Sequence, residues 1–313
     1  MLNRRILRVK AFKSIYCYAE NRTMSLKDAE ALLELSCEAT RDLYLFLLSI
    51  VGPLTREAEE RILAAKSKFN PSEEERNPNM RFVDNRIAAI LGADPDFQKI
   101  ISKKKMSWEN YDVLLRNLYE SVRDRDYFKK YMSEPEMDAA QALKADAQLW
   151  CKIFETEFED NSALEEILED LSIYWNDDLG YALSWCIKTV RDLGSGANWS
   201  LPALYQSDLA GNESYTSDKA FVFGLLRGAY ANFDTFVDSI DALTQKWTRD
   251  RICATDLALL VCGMAESRAF PSIPVKIIIN EYVEIAKYYS TRESSSFVNG
   301  LLDKLINTKN NQQ

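Results

Sequence analysis

Apolar positions recur along most of this chain at three- and four-residue spacing, the period of an α-helix. From about residue 4 to 20 two strips run side by side: Leu7, Ala11, Ile15 and Tyr18 form one, and Val9, Phe12, Tyr16 and Ala19 the other. A helix apolar on two sides is one sandwiched between neighbours. Asn21-Arg22-Thr23 breaks it, and Ser25, with Asp28 three residues on, caps a second helix that runs to a stop at Gly52-Pro53. The segment from Asn70-Pro71 to Asn77-Pro78-Asn79 has turn chemistry at both ends and reads as a loop. Helical spacing resumes near Val83, then from Trp108 to Tyr131, from Met137 to Trp175 and from Leu179 to Leu193. Gly194 to Ser217, with Gly194, Gly196, Pro202 and Gly211, is the best candidate boundary. Beyond it, helices are predicted around Phe221–Ala229, Phe233–Ile240, Arg251–Arg268, from Pro274 to Tyr289, and Phe297–Ile306. Gly300, inside the last, suggests close packing against another backbone or is simply tolerated there. The run Val275-Lys276-Ile277-Ile278-Ile279 has strand propensity, but Tyr282, Ile285, Ala286 and Tyr289 continue it at helical spacing.

Composition agrees with the periodicity. Only 10 Gly and 8 Pro occur in 313 residues, and Leu outnumbers Val 36 to 12, a balance that favours helix and leaves an all-β fold without turn residues. The chain has no histidine, which removes Ser-His-Asp and Cys-His nucleophile systems and every His-bearing metal site. The six cysteines contain no CxxC pair and read as buried thiols of a reducing cytoplasm. No apolar run approaches the roughly 20 residues a membrane helix needs, and the charged opening is no secretory signal. The expected protein is soluble and cytoplasmic, without membrane, metal or cofactor.

Charge changes the picture more. The net charge is −9, yet Glu134 to Asp178 alone carries 14 carboxylates against two lysines, leaving the rest of the chain at +3. The first 13 residues hold Arg4, Arg5, Arg8, Lys10 and Lys13, with no carboxylate before Glu20. Cations at a helix N-terminus oppose its dipole, so an arginine cluster there is better explained if an anion arrives to cancel it. The plain alternative is a solvated helix start. Lys103-Lys104-Lys105 and Glu73-Glu74-Glu75 read as solvated faces.

The most specific string is Ile273-Pro-Val-Lys-Ile-Ile-Ile-Asn280-Glu281-Tyr-Val-Glu284-Ile-Ala-Lys287, followed by Ser294 and then Phe297-Val298-Asn299-Gly300-Leu-Leu-Asp303-Lys304-Leu305. It resembles the C-terminal signature of the NusB family of transcription antitermination factors, about VPxKVxINEAxELAK…S…FVNGxLDK. The opening Arg4-Arg5-Ile6-Leu7-Arg8-Val9-Lys10-Ala11-Phe12-Lys13-Ser14-Ile15-Tyr16 is similar to the family's first helix, and Phe221 to Asp241 to its middle helices. Typical members are about half this length. The resemblance therefore implies an all-α NusB-like helical bundle from residues 1–50 and 216–313, with a helical, acidic insertion at 51–215.

The resemblance further implies a non-catalytic adaptor that binds boxA-type single-stranded RNA together with the ribosomal protein NusE and acts on the RNA polymerase elongation complex. Arg4, Arg5, Arg8 and Lys10 would meet phosphates, with Lys276 and Lys287 extending the cationic track. Tyr16 and Phe297 would stack or pack near the bases, and Asp256 would face NusE. Each has a plainer alternative: core packing for Tyr16 and Phe297, and ordinary surface charge for Lys276, Lys287 and Asp256. Asn280 and Glu281 read as structural. Two other classes stand beside the adaptor. A helical protein–protein interaction scaffold without RNA binding would show its arginine cluster occupied by internal salt bridges. An enzyme would need a feature such as a Gly-rich phosphate loop, and no GxGxxG or P-loop string occurs.

Overall fold

The computed structural model describes residues 2–135, 137–196, 199–205, 217–244 and 252–310, with side chains through residue 307. Among these residues there is no strand, and the chain is all-α. Among the described residues no helix is long and apolar enough to cross a membrane. The chain divides into two compact units, 1–38 with 203–313 and 39–202.

The first unit contains α1 (Arg4–Glu20), the start of α2 (Leu26–Leu48), α12 (Asp218–Ala231), α13 (Phe233–Leu243), α14 (Ala254–Ala269), α15 (Val275–Tyr289) and α16 (Ser294–Asn310). Helix α14 is its axis. Every side chain from Ala258 to Glu266 is buried, because α1, α12, α13, α15 and α16 all pack against it. A helix buried all round must be apolar all round, and Ala258-Leu-Leu-Val-Cys-Gly-Met-Ala265 is. Gly263 sits where α16 closes in: a Cβ there would lie 2.8 Å from Leu302 Cδ2. Gly300, by contrast, meets nothing within 4 Å, so of the two readings of that glycine simple tolerance fits, and the close approach is instead that of the Leu302 side chain to Gly263.

The second unit contains the end of α2, then α3 (Val51–Lys66), α4 (Glu73–Arg76), α5 (Arg86–Ala93), α6 (Pro95–Lys104), α7 (Asp112–Asp124), α8 (Asp126–Ser133), α9 (Ala139–Thr156), α10 (Ser162–Leu171) and α11 (Leu179–Gly194). Its core gathers Phe82, Trp150, Phe154 and Phe158. The end of α2 belongs here because Phe46 stacks between Trp108 and Trp175 at 4.1 and 5.6 Å between ring centroids. The Trp175 indole N–H also donates to the Ala39 carbonyl at 3.0 Å. The division thus falls inside α2, not at the 50/51 boundary expected from the sequence. Gly52-Pro53 does not end a helix but opens one. Pro53 lies in the first turn of α3, where its missing N–H has no partner to lose.

Other expectations shift in the same direction. The 70–79 loop holds one helical turn, fixed by a Ser72–Glu75 capping box. The expected 108–131 and 137–175 helices are each broken in two. Cys37, Cys151, Cys186 and Cys262 are buried, but Cys17 and Cys253 are exposed. Part of the expected 194–217 boundary, with Gly211, and Arg251 lie outside the described residues.

Candidate functional site

The arginines of α1 and the start of α15 meet within the first unit. They line an open cleft of about 650 Å³, together with Phe221 of α12, Phe270 after α14, and Ile277 and Glu281 of α15. Asn3 caps α1 by accepting from the Ile6 N–H at 2.8 Å, and no acidic residue occupies the first turn. The compensating carboxylates come from elsewhere in the chain.

Arg8 turns inward. Its guanidinium donates to both oxygens of Glu266, Nη2 to Oε1 at 2.6 Å and Nε to Oε2 at 2.9 Å. Tyr282 Oη donates to the same Oε2 at 2.8 Å. The two charged side chains are 5% and 0% exposed. Burial alone would pull the Arg8 guanidinium down from its ordinary value, but the hydrogen bonds and the charge of Glu266, with the nearby Tyr282 and Glu281, together outweigh that and hold it above. Burial drives the Tyr282 hydroxyl well up, so it stays a donor. The expectation of Arg8 as a phosphate contact is therefore corrected: its fork is occupied by a buried carboxylate.

Arg5 points outward. It makes a two-pronged contact with Glu281, Nη2 to Oε1 at 2.9 Å and Nε to Oε2 at 3.1 Å, while its side chain stays 49% exposed. The Arg5 hydrogen bond holds the Glu281 carboxyl below its ordinary range. Arg4 is half-buried, its guanidinium 4.1 Å from the Phe221 ring centroid, and burial lowers its pKa despite the opposing charge of Asp218. Lys10 is buried and donates to Ser36 Oγ at 3.3 Å, so it too is corrected from a surface phosphate contact.

Helices α1 and α15 run parallel, since Arg5 meets Glu281 and Phe12 meets Tyr289 with 5.5 Å between ring centroids. The remaining candidates fall at two ends of this pair. Arg4, Arg5 and the exposed Lys276 are at the N-terminal end. Tyr16, 37% exposed, lies one turn beyond Phe12 at the other. There Lys13 Nζ approaches the Tyr289 ring, and exposed Lys287 pairs with Glu284. Lys276 and Lys287 are eleven positions apart on α15, about 16 Å along its axis. Phe297 is half-buried in the first turns of α16.

Asp256 is buried, and both its oxygens are taken. Ser290 Oγ donates to Oδ1 at 2.7 Å and Ser294 Oγ to Oδ2 at 2.8 Å. It clamps the α15–α16 turn to the start of α14, which corrects its expected role as a carboxylate facing a partner. Sequence reasoning missed Glu266 and Tyr282. The available signal was Glu266 itself, a carboxylate closing an otherwise apolar helical run, which has to find a partner when buried. Among the described residues no cluster of Cys, Asp and Glu could hold a metal ion.

Residues 198–307 match the model of the NusB family. The transcription antitermination protein NusB of Acetivibrio thermocellus is 35% identical over 93 residues, 30% of this chain and 64% of that protein. The NusB of Syntrophotalea carbinolica is 38% identical over 90 residues, covering 29% of this chain and 58% of its own. That of Finegoldia magna is 41% identical over 80 residues, covering 26% and 58%. The matched stretches thus span 58–64% of these relatives' lengths. No solved structure is similar enough to count as a match. The family match contains α12 to α15 and most of α16, whereas α1 and its arginines precede it.

Proposed function

From a chain whose residues 198–307 are a NusB-family domain, we propose a non-catalytic adaptor of transcription antitermination. It takes boxA-type single-stranded RNA together with the ribosomal protein NusE and acts on elongating RNA polymerase. One observation carries the reading: the arginine-bearing start of α1 and the signature helix α15 form a common cleft, with Arg5 exposed in its lining and exposed Lys276 next in sequence to the lining residue Ile277. Single strands are bound by cations along the backbone and by planar groups under the bases. Arg4, Arg5, Lys276 and Lys287 supply the first, and Tyr16 and Phe297 the second.

Fluorescence anisotropy with a labelled boxA RNA tests this, with and without NusE. Binding tightens when NusE is added, and Arg5→Ala weakens it. RNA affinity indifferent to both changes would sink the adaptor.

A second reading, a helical interaction scaffold without RNA binding, is favoured by the internal pairing of Arg8 with Glu266. It requires Arg5 to behave like Arg8, as a structural ion pair only. The Arg5→Ala variant therefore separates the two readings by its RNA affinity.

A further inference from the structure

The second unit contains a groove of about 880 Å³ between α8, α9 and the end of α11. Its charge is opposite to that of its surroundings. Glu134 to Asp178 contains only two cations, Lys144 and Lys152, and both line this groove. Lys130 of α8 and Arg191 in the last turn of α11 join them. All four side chains are exposed. The two carboxylates of the lining are already engaged, Glu134 by Arg81 at 3.0 Å and Glu155 by Lys152 at 2.7 Å. Among the described residues, neither Lys130 nor Lys144 has a carboxylate partner.

The groove's other component is apolar. Exposed Ala140 and half-buried Leu143 of α9 line it, while Ala147 is buried against Gly194 of α11, where a Cβ would fall 2.3 Å from that of Ala147. Glycine lets the two helices close. Lys144, Gln148 and Lys152 follow one another at four-residue intervals on α9, one row of a helix face about 12 Å long.

A cationic rim over an apolar strip suits an acidic amphipathic helix better than a nucleic acid. Three of the four cations are lysines, point charges without the fork that matches phosphate. No exposed aromatic face lines the groove for a base to stack on: Tyr131 is buried with its hydroxyl donating to Asp146 at 2.8 Å, and the half-buried Tyr127 donates to Glu157 at 3.0 Å. A helix-in-groove partner instead needs an apolar stripe on the floor and complementary charge at the edges. We propose that this groove seats an acidic amphipathic helix of a partner protein, its carboxylates meeting Lys130, Lys144 and Arg191 and its apolar stripe lying on Ala140 and Leu143.

The probe is a fluorescein-labelled synthetic helix of glutamate and leucine, with leucines at i, i+3 and i+4 spacing, titrated with the full chain. Binding weakens with added salt and falls about tenfold or more in the double variant Lys130→Glu/Lys144→Glu, in the range of charge-pair losses at interfaces. Both lysines are exposed, and circular dichroism confirms that the variant keeps its helices. A peptide with lysine in place of glutamate does not bind. Equal affinity of the double variant and the parent chain for the glutamate peptide overturns the proposal. So does a reversed pattern, in which oligouridylate binding and not peptide binding depends on these two lysines. Neither outcome touches the boxA reading, which rests on other residues.

Discussion

Arg5 and Arg8 lie one turn apart on the same helix and share Glu281, yet only one of them is exchangeable. Replacing Arg8 by Ala strands the Glu266 carboxylate, 0% exposed, with the Tyr282 hydroxyl as its remaining donor. Breaking a buried pair from one side costs about 3–5 kcal/mol, read as a lowered urea midpoint. Arg5→Ala removes a half-exposed pair worth about 1 kcal/mol at most and leaves the midpoint nearly unchanged. Glu281 adds a pH dependence. Its folded pKa is depressed by Arg5, so its contribution is complete above the ordinary carboxylate value of 4.5 and is lost as pH falls below that through the folded value. Urea midpoints from pH 7 to pH 3 therefore converge for the parent and Glu281→Gln. The arginine cluster was legible from the sequence as a charge that needed an anion. Which anion was not, because Glu266 is 258 positions from Arg8 and nothing local links the two.

Helix identity was legible almost everywhere, since it follows from a period repeated over many residues. Helix ends were less so, because a proline reads the same whether it closes one helix or opens the next. Pro53 reads as a stop in the sequence and lies in a first turn. Glycines show the same ambiguity, and the structure separates them. Gly263 is in the middle of α14 with Leu302 Cδ2 at 2.8 Å from where a Cβ would be. Gly263→Ala overpacks that contact and destabilises by about 1–3 kcal/mol. Gly300 faces open space on α16, so Gly300→Ala gains about 1 kcal/mol of helix propensity. Thermal melts of the two variants move in opposite directions.

Across the whole molecule, net charge misleads about partners. The −9 total is dominated by one segment, and part of that segment's acidity is consumed internally. Asp146 accepts from the Arg86 backbone and guanidinium and from Tyr131, and Glu157 from Ser121, Arg125 and Tyr127. On the proposed function, RNA affinity would depend on local cations instead. With three to four phosphate contacts at about −0.7 each, log affinity falls with log salt at a slope of about −2 to −3, measurable by anisotropy over a salt series. The two-unit division was only partly legible, because the pattern along a continuous helix such as α2 does not record where its neighbours change. The Arg8–Glu266–Tyr282 triad also dictates an order of manufacture. Helix α1 leaves the ribosome before its anchors, which follow only after residue 282 has been made. At about 5–20 residues per second, the amino-terminal arginines wait on the order of tens of seconds before they can be locked in place. A nascent chain stalled before that point carries Arg8 without its Glu266 partner.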